Sequence, residues 1–290
     1  MLTNQAIRTV VDFALAEDAP WGDVTSELLI PAESTATAVL SAREPGVLSG
    51  GDVFAAAMTA VDSDTVVNFT LTDGESFEQG SVLATVTGNA RAILRAERVA
   101  LNLVQRMSGI ATLTARYVAE VQATKARVVD TRKTTPGLRA LERHAVQNGG
   151  GHNHRFSLSD AVLAKDNHLA VLVEGGRDLT EALSDARSRL SHTTHFEVEV
   201  DRIDQIEPVI SAGVDTIMLD NFSLAELREG VALVAGRALV EASGNVNLDT
   251  IRAIAETGVD IISVGALTHS VRALDLGLDV RLDRSGLAMP

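Results

Sequence analysis

The stretch that decides the fold is residues 215–245, which read DTIMLDNFSLAELREGVALVAGRALVEASGN. Two apolar runs that end in polar residues flank an amphipathic segment of helical period. Six such runs occur after residue 124: ARVVDTRK, DAVLAKDN, HFEVEVD, DTIMLDN, ALVEASGN and DIISVGA. Buried strands that alternate with helices predict a parallel sheet covered on both faces, or a barrel, and the spacing is typical of a β/α barrel.

Polar residues follow each of these six runs, at the point where the strand is predicted to end. In α/β folds the carboxyl ends of parallel strands meet at one edge, and binding sites lie there. We therefore expect the following side chains to surround one pocket: Asp130, Arg132, Lys133, Lys165, Asp166, Asn167, Glu199, Asp201, Asp220, Asn221, Ser243, Gly244, Asn245, Gly265 and Ala266.

Residues 130–168 form a basic island in an acidic chain whose formal net charge is −14. Arginine binds carboxylate or phosphate through paired hydrogen bonds, and lysine is a compact charge for phosphate. Arg132, Lys133, Arg155 and Lys165 together exceed what one phosphate needs, so they predict a ligand with two or more anionic groups. The alternative for Arg132 and Lys133 is an ion pair with a carboxylate at a neighbouring strand end.

Glu199 and Asp220 end successive strands and are predicted to face each other across the mouth of the barrel. Two carboxylates there can hold Mg²⁺ through water or stabilise a sugar carbocation, or they can simply neutralise the basic island. The turns Ser243-Gly244-Asn245 and Val264-Gly265-Ala266 follow the last two strands, where barrels commonly bind phosphate. Together the two turns favour a substrate that carries a phosphate.

The histidines leave several interpretations open. His154 can donate a hydrogen bond to a ligand carboxylate, and the H-x-H pair of His152 and His154 can bind a metal, although the adjacent Arg155 would repel a cation. His144 lies on a predicted helix and is expected to pack or to face solvent. His168 is expected to orient the site rather than to act as a base.

The first 123 residues have a different pattern. From 35 to 87, short β-branched runs broken by glycine and Asp-Gly turns predict an antiparallel layer. Residues 90–123 predict a long helix, interrupted near Ser108-Gly109, and the tail from 270 is predicted to return to the antiparallel layer as a helix or strand. Arginines recur on the long helix as what we interpret as a solvated stripe: Arg91, Arg95, Arg98 and Arg106.

Two expectations concern the segment before this layer. Trp21 is expected to be buried in a turn, with contact to a ligand or partner as the alternative. Asp23 or Thr25 is expected to cap a short helix.

Composition excludes some classes of function. The net charge of −14 argues against binding to nucleic acid or to anionic membranes, and an aromatic content of 3% argues against stacking platforms. The absence of cysteine removes disulfides, thiolate nucleophiles and cysteine-ligated metals. The first 30 residues lack the features of a secretory signal, and no apolar run is long enough to span a bilayer, so we predict a cytoplasmic protein.

Several long motifs, in order, resemble those of quinolinate phosphoribosyltransferase, also called nicotinate-nucleotide diphosphorylase (carboxylating), a pentosyltransferase of the glycosyltransferase class. The similarity covers nearly the whole chain. It rests on these motifs: ALAED…GDVT, ERVALNLVQRMSGIAT, DTRKTTPGLR, AV-x-x-GGG-x-NHR, L-x-KDNH, EVEVD, LDN, EASGN and VGALTH.

The resemblance implies a type II phosphoribosyltransferase. Its fold would be an N-terminal α/β sandwich domain over 1–110, joined by the tail at about 271–290, and an incomplete, open α/β barrel over 111–270. The reaction would join quinolinate to 5-phosphoribosyl 1-diphosphate with Mg²⁺, giving nicotinate mononucleotide, CO₂ and diphosphate in NAD biosynthesis. The protein would be a homodimer or larger, with an arginine contributed across the interface.

The resemblance also implies residue roles. Arg132, His154, Arg155 and Lys165 match the pocket for the two quinolinate carboxylates, and Arg98 matches the arginine that comes from the partner. Lys133 matches a catalytic residue between the two substrates. Glu199 and Asp220 match the pair near the ribose hydroxyls and metal, and these residues match the turns for the 5′-phosphate: Ser243, Gly244, Asn245, Gly265 and Ala266. His144 departs from the family, which often has tyrosine there.

Two alternatives stay open. One is a paralogous phosphoribosyltransferase, such as an enzyme that uses nicotinate or a related protein associated with molybdenum uptake. A substrate with a single carboxylate would not need so many cations. The other is a non-catalytic protein that binds a phosphate ligand on a barrel, which would not call for the carboxylate pair of Glu199 and Asp220.

Overall fold

The computed structural model describes residues 2–282. Within them, no helix combines the length and the apolar character needed to cross a membrane. The elements, in chain order, are α1 (Asn4–Asp18), α2 (Val24–Leu29), β1 (Thr35–Ala42), β2 (Gly46–Val47), α3 (Gly51–Val61), β3 (Val66–Phe69), β4 (Ser76–Phe77), β5 (Val82–Asn89), α4 (Ala90–Val121), β6 (Arg127–Val129), α5 (Arg139–Asn148), β7 (Val162–Ala164), α6 (Asp166–Leu172), α7 (Leu179–Ser188), β8 (Phe196–Val200), α8 (Ile206–Ser211), β9 (Thr216–Asp220), α9 (Leu224–Val234), β10 (Leu239–Ser243), α10 (Ile251–Ala255), β11 (Ile261–Ser263), α11 (Ala266–His269) and β12 (Leu276–Leu282).

The chain divides into two compact units. The first takes in the described residues of 1–115, 134–150 and 271–290, and the second takes in 116–133 and 151–270. Residues 134–150, which carry α5, therefore fold with the first unit, whereas the expected boundaries place them in the barrel. An ion pair joins α5 to α4 within this unit: Arg106 Nε and Nη2 donate to Glu142 Oε1 at 2.8 and 2.7 Å, and Glu142 is only 1% exposed.

The first unit contains the predicted antiparallel layer as a four-stranded sheet, in the order β12-β1-β5-β3. Strand β1 alternates between accessible and buried positions, because side chains on a strand point to opposite faces in turn. Strand β12 pairs with β1 from Ala36 opposite Leu282 to Ala42 opposite Leu276. The predicted return of the tail is thus confirmed as a strand up to residue 282, and residues 283–290 lie outside the described part.

Helix α4 runs for 32 residues without a break. The predicted interruption near Ser108-Gly109 is therefore wrong. Gly109 sits there because a Cβ at this position would collide with the backbone carbonyl of Arg272. Ser108 is fully buried and its hydroxyl donates to the carbonyl of Ser49 at 3.2 Å. Both residues serve close packing rather than a bend.

The solvated arginine stripe is also wrong for three of its four members. Arg91 donates to the carbonyls of Ile30 and Glu27 at 2.7 and 3.0 Å. Arg95 donates to the carbonyl of Ala19 at 3.2 Å, and Arg106 pairs with Glu142 as described above. These arginines satisfy backbone carbonyls and a buried acid that lie far away in the sequence. Arg98 alone of the four is exposed.

The segment before the sheet gives one confirmed and one wrong prediction. Asp23 caps α2, since its Oδ1 accepts from the backbone N–H groups of Thr25 and Ser26, both at 3.1 Å. Trp21 is not buried, because 94% of it is exposed. Large apolar side chains of α1 and α2 are exposed as well: Phe13, Val24, Leu28 and Leu29.

The second unit is built on a six-stranded parallel sheet, in the order β6-β11-β10-β9-β8-β7. Among the described residues, the edge strands β6 and β7 form no ladder with each other, so the sheet is the open barrel that the resemblance implies. Residues that follow both edge strands, Arg132 and Lys165, nevertheless line one cavity. The sheet must therefore curve around its contents.

Candidate active site

One face of the parallel sheet carries a polar side chain at almost every second position of its central strands. Strand register aligns Glu199, Met218 and Glu241 in one row, and Asp220 and Ser243 in the next. Because the pleat has a period of two, these residues share a face with others two positions away. The full set is Glu197 and Glu199 of β8, Met218 and Asp220 of β9, and Glu241 and Ser243 of β10.

A cavity of about 460 Å³ opens on this face. Its size suits a small molecule, and its wall combines several cations with carboxylates. Six of the predicted strand-end residues are therefore brought together here: Arg132, Lys133, Lys165, Glu199, Asp220 and Ser243. Four others line neither this cavity nor the one described next: Asp130, Asp166, Asn167 and Asp201. The lining is Thr131, Arg132, Lys133, His154, Arg155, Leu163, Lys165, Glu199, Met218, Asp220, Glu241, Ser243 and Ser263.

A second cavity of about 430 Å³ continues from the first and shares five lining residues with it. It is lined mainly by the turns that follow β9, β10 and β11, and so contains all five residues expected to bind phosphate: Ser243, Gly244, Asn245, Gly265 and Ala266. The remaining lining is Thr131, Lys133, Asp220, Asn221, Val246, Ser263 and His269. Lys133, Asp220 and Ser243 belong to both cavities.

The turns after β9 and β10 have unusual backbone conformations. Asn221, Gly244 and Asn245 have φ of 59°, 94° and 52°, in the left-handed region that favours glycine and tolerates asparagine. The two asparagines are joined, because Asn245 Nδ2 donates to Asn221 Oδ1 at 3.1 Å. A Cβ on Gly244 would overlap that same amide, so glycine is required there for space as well as for φ.

The cations of the larger cavity are held by backbone and side-chain partners. Arg155 Nη1 donates to the carbonyl of Ala161 at 3.0 Å. Burial, followed by the charge of Arg132, lowers the pKa of Arg155. Lys165 forms an ion pair with Glu199, and its backbone N–H donates to His168 Nδ1 at 3.0 Å. His168 thus lies against the backbone of a cavity residue, and its orienting role stays a prediction.

Two buried acids behind His154 were not anticipated. The His154 Nε2 atom lies 3.1 Å from Glu197 Oε2 and 3.6 Å from Glu241 Oε2. Both glutamates are almost completely buried, at 4% and 1% exposed. A sequence signal exists, since each glutamate interrupts an apolar strand two residues before a predicted site residue, Glu199 or Ser243.

Hydrogen bonds fix the orientation of the imidazole. The backbone N–H of Arg155 donates to His154 Nδ1 at 2.7 Å, so Nδ1 is an acceptor and Nε2 carries the proton that faces the glutamates. Burial disfavours the imidazolium, but the hydrogen bond to Glu197 and the charge of Glu241 outweigh it and raise the pKa of His154.

A histidine and two carboxylates are metal ligands by type, and these three offer atoms within 4.8 Å of one another. The proton on Nε2 occupies the position where a metal would bind, so the geometry favours a hydrogen-bonded group. The H-x-H metal site is not formed either, because His152 is exposed and is not part of this group among the described residues.

Two residues that the sequence analysis singled out, His144 and Arg98, lie in the first unit. His144 lies on α5 as predicted, and its Nε2 is 3.1 Å from Asp73 Oδ2, so it packs against an acid. Arg98 is an exposed residue of α4. All residues that line the two cavities belong to the second unit, and Arg98 is not among them.

Comparison with known proteins gives the family. The N-terminal domain of quinolinate phosphoribosyl transferase matches residues 23–108, and the C-terminal domain of the same family matches residues 110–279. The chain belongs to the quinolinate phosphoribosyl transferase family. The resemblance seen in the motifs is thereby confirmed over both domains.

Individual relatives agree with this family. The chain is 42% identical to the nicotinate-nucleotide pyrophosphorylase [carboxylating] of Mycobacterium leprae, over 95% of this chain and 97% of that protein. It is 37% identical to a probable enzyme of the same name from Bacillus subtilis, over 99% of this chain and 97% of that protein. The crystal structure of NadC from Streptococcus pyogenes superposes with a TM-score of 0.92 at 38% identity, covering 97% of this chain and 99% of that one.

Proposed function

We propose that this protein transfers the phosphoribosyl group of 5-phosphoribosyl 1-diphosphate to quinolinate with loss of CO₂, giving nicotinate mononucleotide and diphosphate in NAD biosynthesis. The observation that carries the proposal is a pair of continuous cavities, one rich in cations and the other formed by small-residue turns. They lie at the carboxyl ends of the parallel strands, in a chain whose two domains match the quinolinate phosphoribosyl transferase family.

The larger cavity suits the dicarboxylate. Arg132, Arg155 and Lys165 line it and offer more positive charge than one carboxylate requires, and His154 lies on the same wall. Arginine pairs with a carboxylate through two parallel hydrogen bonds, which fixes the plane of an aromatic acid as well as its position. Arg132 and Arg155 are close enough to repel each other, as the pKa of Arg155 indicates, and an anion between them relieves that repulsion. Quinolinate therefore fits better than an acid with one carboxylate.

The second cavity suits the phosphoribosyl end. The turns Ser243–Asn245 and Gly265–Ala266 present backbone and small side chains without bulk, which lets a phosphate approach closely. Lys133 lines both cavities, and we assign it to the region between the two substrates, where its charge would stabilise the departing diphosphate.

The two strand-end carboxylates fit Mg²⁺. Glu199 and Asp220 are oxygen donors on adjacent strands and line the same cavity, and Mg²⁺ prefers such ligands while keeping several waters. Glu199 is already paired with Lys165, and Asp220 Oδ2 accepts from Asn221 Nδ2 at 2.7 Å, so we propose binding through water. When bound there, Mg²⁺ would offset the negative charge of the diphosphate.

The protein contributes mainly orientation and electrostatics. The carboxylates of Glu199 and Asp220 stabilise positive charge that develops on the ribose as the diphosphate leaves. The cations of the larger cavity hold the pyridine nitrogen in line for attack on C1 of the ribose. The ring nitrogen then becomes cationic, and this charge stabilises the electron pair left on the ring carbon when CO₂ departs.

We also propose a homodimer in which Arg98 of one protomer completes the site of the other. Arg98 is exposed, and the segment that carries α1 and α2 exposes large apolar side chains that solvent does not favour: Phe13, Trp21, Val24, Leu28 and Leu29. A surface of this kind supports assembly with a second copy. The cytoplasmic location remains a prediction from composition.

The direct test supplies quinolinate, 5-phosphoribosyl 1-diphosphate and Mg²⁺ and measures CO₂ and nicotinate mononucleotide, with nicotinate as a parallel substrate. We expect product from quinolinate only. Product from nicotinate alone would point to the paralogous enzyme, and binding of phosphoribosyl diphosphate without turnover of either acid would point to a binding protein.

The shared site is tested by complementation. Arg132→Ala and Arg98→Ala are each expected to abolish turnover while the circular dichroism spectrum stays that of the parent. Mixing the two variants should restore part of the activity, because a hybrid dimer contains one site with both arginines. No recovery despite confirmed subunit exchange would contradict a shared site.

A further inference from the structure

Glu241 combines two properties that rarely occur together. It is 1% exposed, yet it lines the larger cavity from the middle of β10. Its Oε2 lies 3.6 Å from His154 Nε2, too far for a good hydrogen bond, and its Oε1 is buried without a hydrogen-bond partner among the described residues. The Oε1 of Glu197 is in the same condition. A carboxylate this dry and this poorly satisfied is costly to leave charged.

The buried group contains more carboxylates than N–H donors. Two buried carboxylates, Glu197 and Glu241, face the single N–H of His154, and Glu197 is the nearer acceptor at 3.1 Å. Burial, and then the negative charge of Glu197, raise the pKa of Glu241 to about 8. Glu241 is therefore the carboxyl that keeps a proton at neutral pH. The other charged groups around it are Asp130 behind His154 and those of the cavity wall: Arg132, Lys133, Arg155, Lys165, Glu199 and Asp220.

We propose that Glu241 is the acid that protonates the ring carbon from which CO₂ departs. This inference rests on the proposed function, in which the cations of the larger cavity hold the carboxylates of quinolinate. Glu241 is next to His154 on the same wall, so a ring carbon that loses its carboxylate there faces this carboxyl group. Glu197 does not line the cavity and acts as a positioning residue.

The step is balanced as follows. The bond between ring carbon C2 and its carboxylate breaks, CO₂ leaves, and the electron pair stays on C2 beside the cationic ring nitrogen. The Glu241 carboxyl then gives its proton to C2, forming the C–H bond of the product, and becomes a carboxylate. The N–H of His154, 3.6 Å away, stabilises this carboxylate until solvent returns a proton.

The test uses Glu241→Gln in the full-length protein, because glutamine keeps the shape and a hydrogen-bond donor but has no acidic proton. We expect kcat to fall by about 100-fold, the lower range for loss of a general acid, with the KM for quinolinate little changed. A kcat close to that of the parent would overturn the proposal and leave Glu241 a neutral packing or binding group.

Two further measurements separate chemistry from damage to the fold. In mixed H₂O and D₂O, the ratio of hydrogen to deuterium at C2 of the product reports on the proton donor, and it should change in Glu241→Gln. In Glu197→Gln, the negative neighbour is lost and Glu241 ionises more readily, so the loss of kcat on the basic side should move to lower pH. An unchanged isotope ratio and an unmoved pH limb would each contradict the role of Glu241.

Failure of this proposal is distinguishable from failure of the proposed function. Parent protein that forms no nicotinate mononucleotide from quinolinate removes the function itself. Parent protein that turns over normally, beside an equally active Glu241→Gln variant, removes only the proton-transfer step.

Discussion

Residues 2–282 contain two histidine–carboxylate groups, one in each unit, and they are built in opposite ways. In the first unit a single acid, Asp73, accepts from four donors: Gly50 N, Gly51 N, His144 Nε2 and Asn148 Nδ2, at 2.9, 2.9, 3.1 and 3.0 Å. In the second unit two acids, Glu197 and Glu241, face the one N–H of His154. Asp73 thus has several hydrogen-bond donors for one carboxylate, whereas Glu241 shares one donor with a second carboxylate.

The ratio of donors to acceptors decides the proton state of each acid. Burial opposes ionisation of Asp73, but the hydrogen bonds from His144 and the two glycines outweigh it and lower its pKa. At Glu241 burial and a negative neighbour act in the same direction and raise the pKa. The difference teaches that a satisfied acid stabilises a fold, and that an unsatisfied one facing a cavity is available for proton transfer.

Among the changes that test this comparison, Asp73→Asn is expected to have the largest effect. This change should lower the free energy of unfolding by about 2 kcal/mol, because four donors lose a charged acceptor, while kcat stays at the parent value. Urea unfolding followed by circular dichroism is the measurement, since the single tryptophan, Trp21, is 94% exposed and a poor reporter. The matched control is Asp64→Asn, which removes the same charge from an exposed position. Equal stability losses in both variants would contradict the role of Asp73.

A second prediction sharpens the comparison through pH, because the two acids should respond in opposite directions. Asp73 has a folded pKa below the ordinary 3.8, so its stabilising contribution is present above that pH and is lost as pH falls through the folded value. Glu241 has a folded pKa of about 8 against 4.5, so the folded state loses stability as pH rises between those values.

The pH dependence of each acid is isolated by subtracting the free energy of unfolding of its variant from that of the parent. The stability of the parent relative to Glu241→Gln should fall from pH 4.5 to about 8. The stability of the parent relative to Asp73→Asn should be constant near neutral pH and fall only in acid. Two difference curves with the same slope would mean that the proton states are not opposed.

The smallest expected effect concerns His144, where the family often has tyrosine. His144→Gln keeps an N–H that can reach Asp73, so the free energy of unfolding should change by less than about 0.5 kcal/mol. His144→Ala removes the donor and should cost about 1 kcal/mol, because three other donors remain on Asp73. Urea midpoints of both variants check this order, and a glutamine variant as unstable as the alanine variant would argue that the ring itself is needed for packing.

Much of the fold follows from local pattern. The parallel sheet could be predicted because each buried strand is a short apolar run closed by polar residues, and this periodicity depends on no distant partner. The interruption at Gly109 and the solvated arginines were wrong for the opposite reason. Gly109 is required by the carbonyl of Arg272, and Arg91 and Arg95 bind carbonyls of loops far away in the sequence. Such contacts leave no local signal.

The site divides in the same way. Residues after the strands, such as Lys165 and Asp220, could be placed in one cavity because parallel topology collects strand ends. Glu197 and Glu241 lie inside the strands, where the sequence pattern makes each of them part of an apolar run. Only the three-dimensional register places them beside His154. Arg98 could be singled out by family resemblance alone, since its local pattern is that of any exposed helical arginine.

The joined turns after β9 and β10 have a consequence for how ligands bind. An unfolded chain rarely visits the left-handed conformations of Asn221 and Asn245, so most of the conformational entropy they lose is lost during folding. A phosphate that arrives at these turns finds them already fixed by the bond between the two amides. Little further ordering of the chain is needed when the phosphate binds. A larger share of the free energy of each contact therefore contributes to binding affinity.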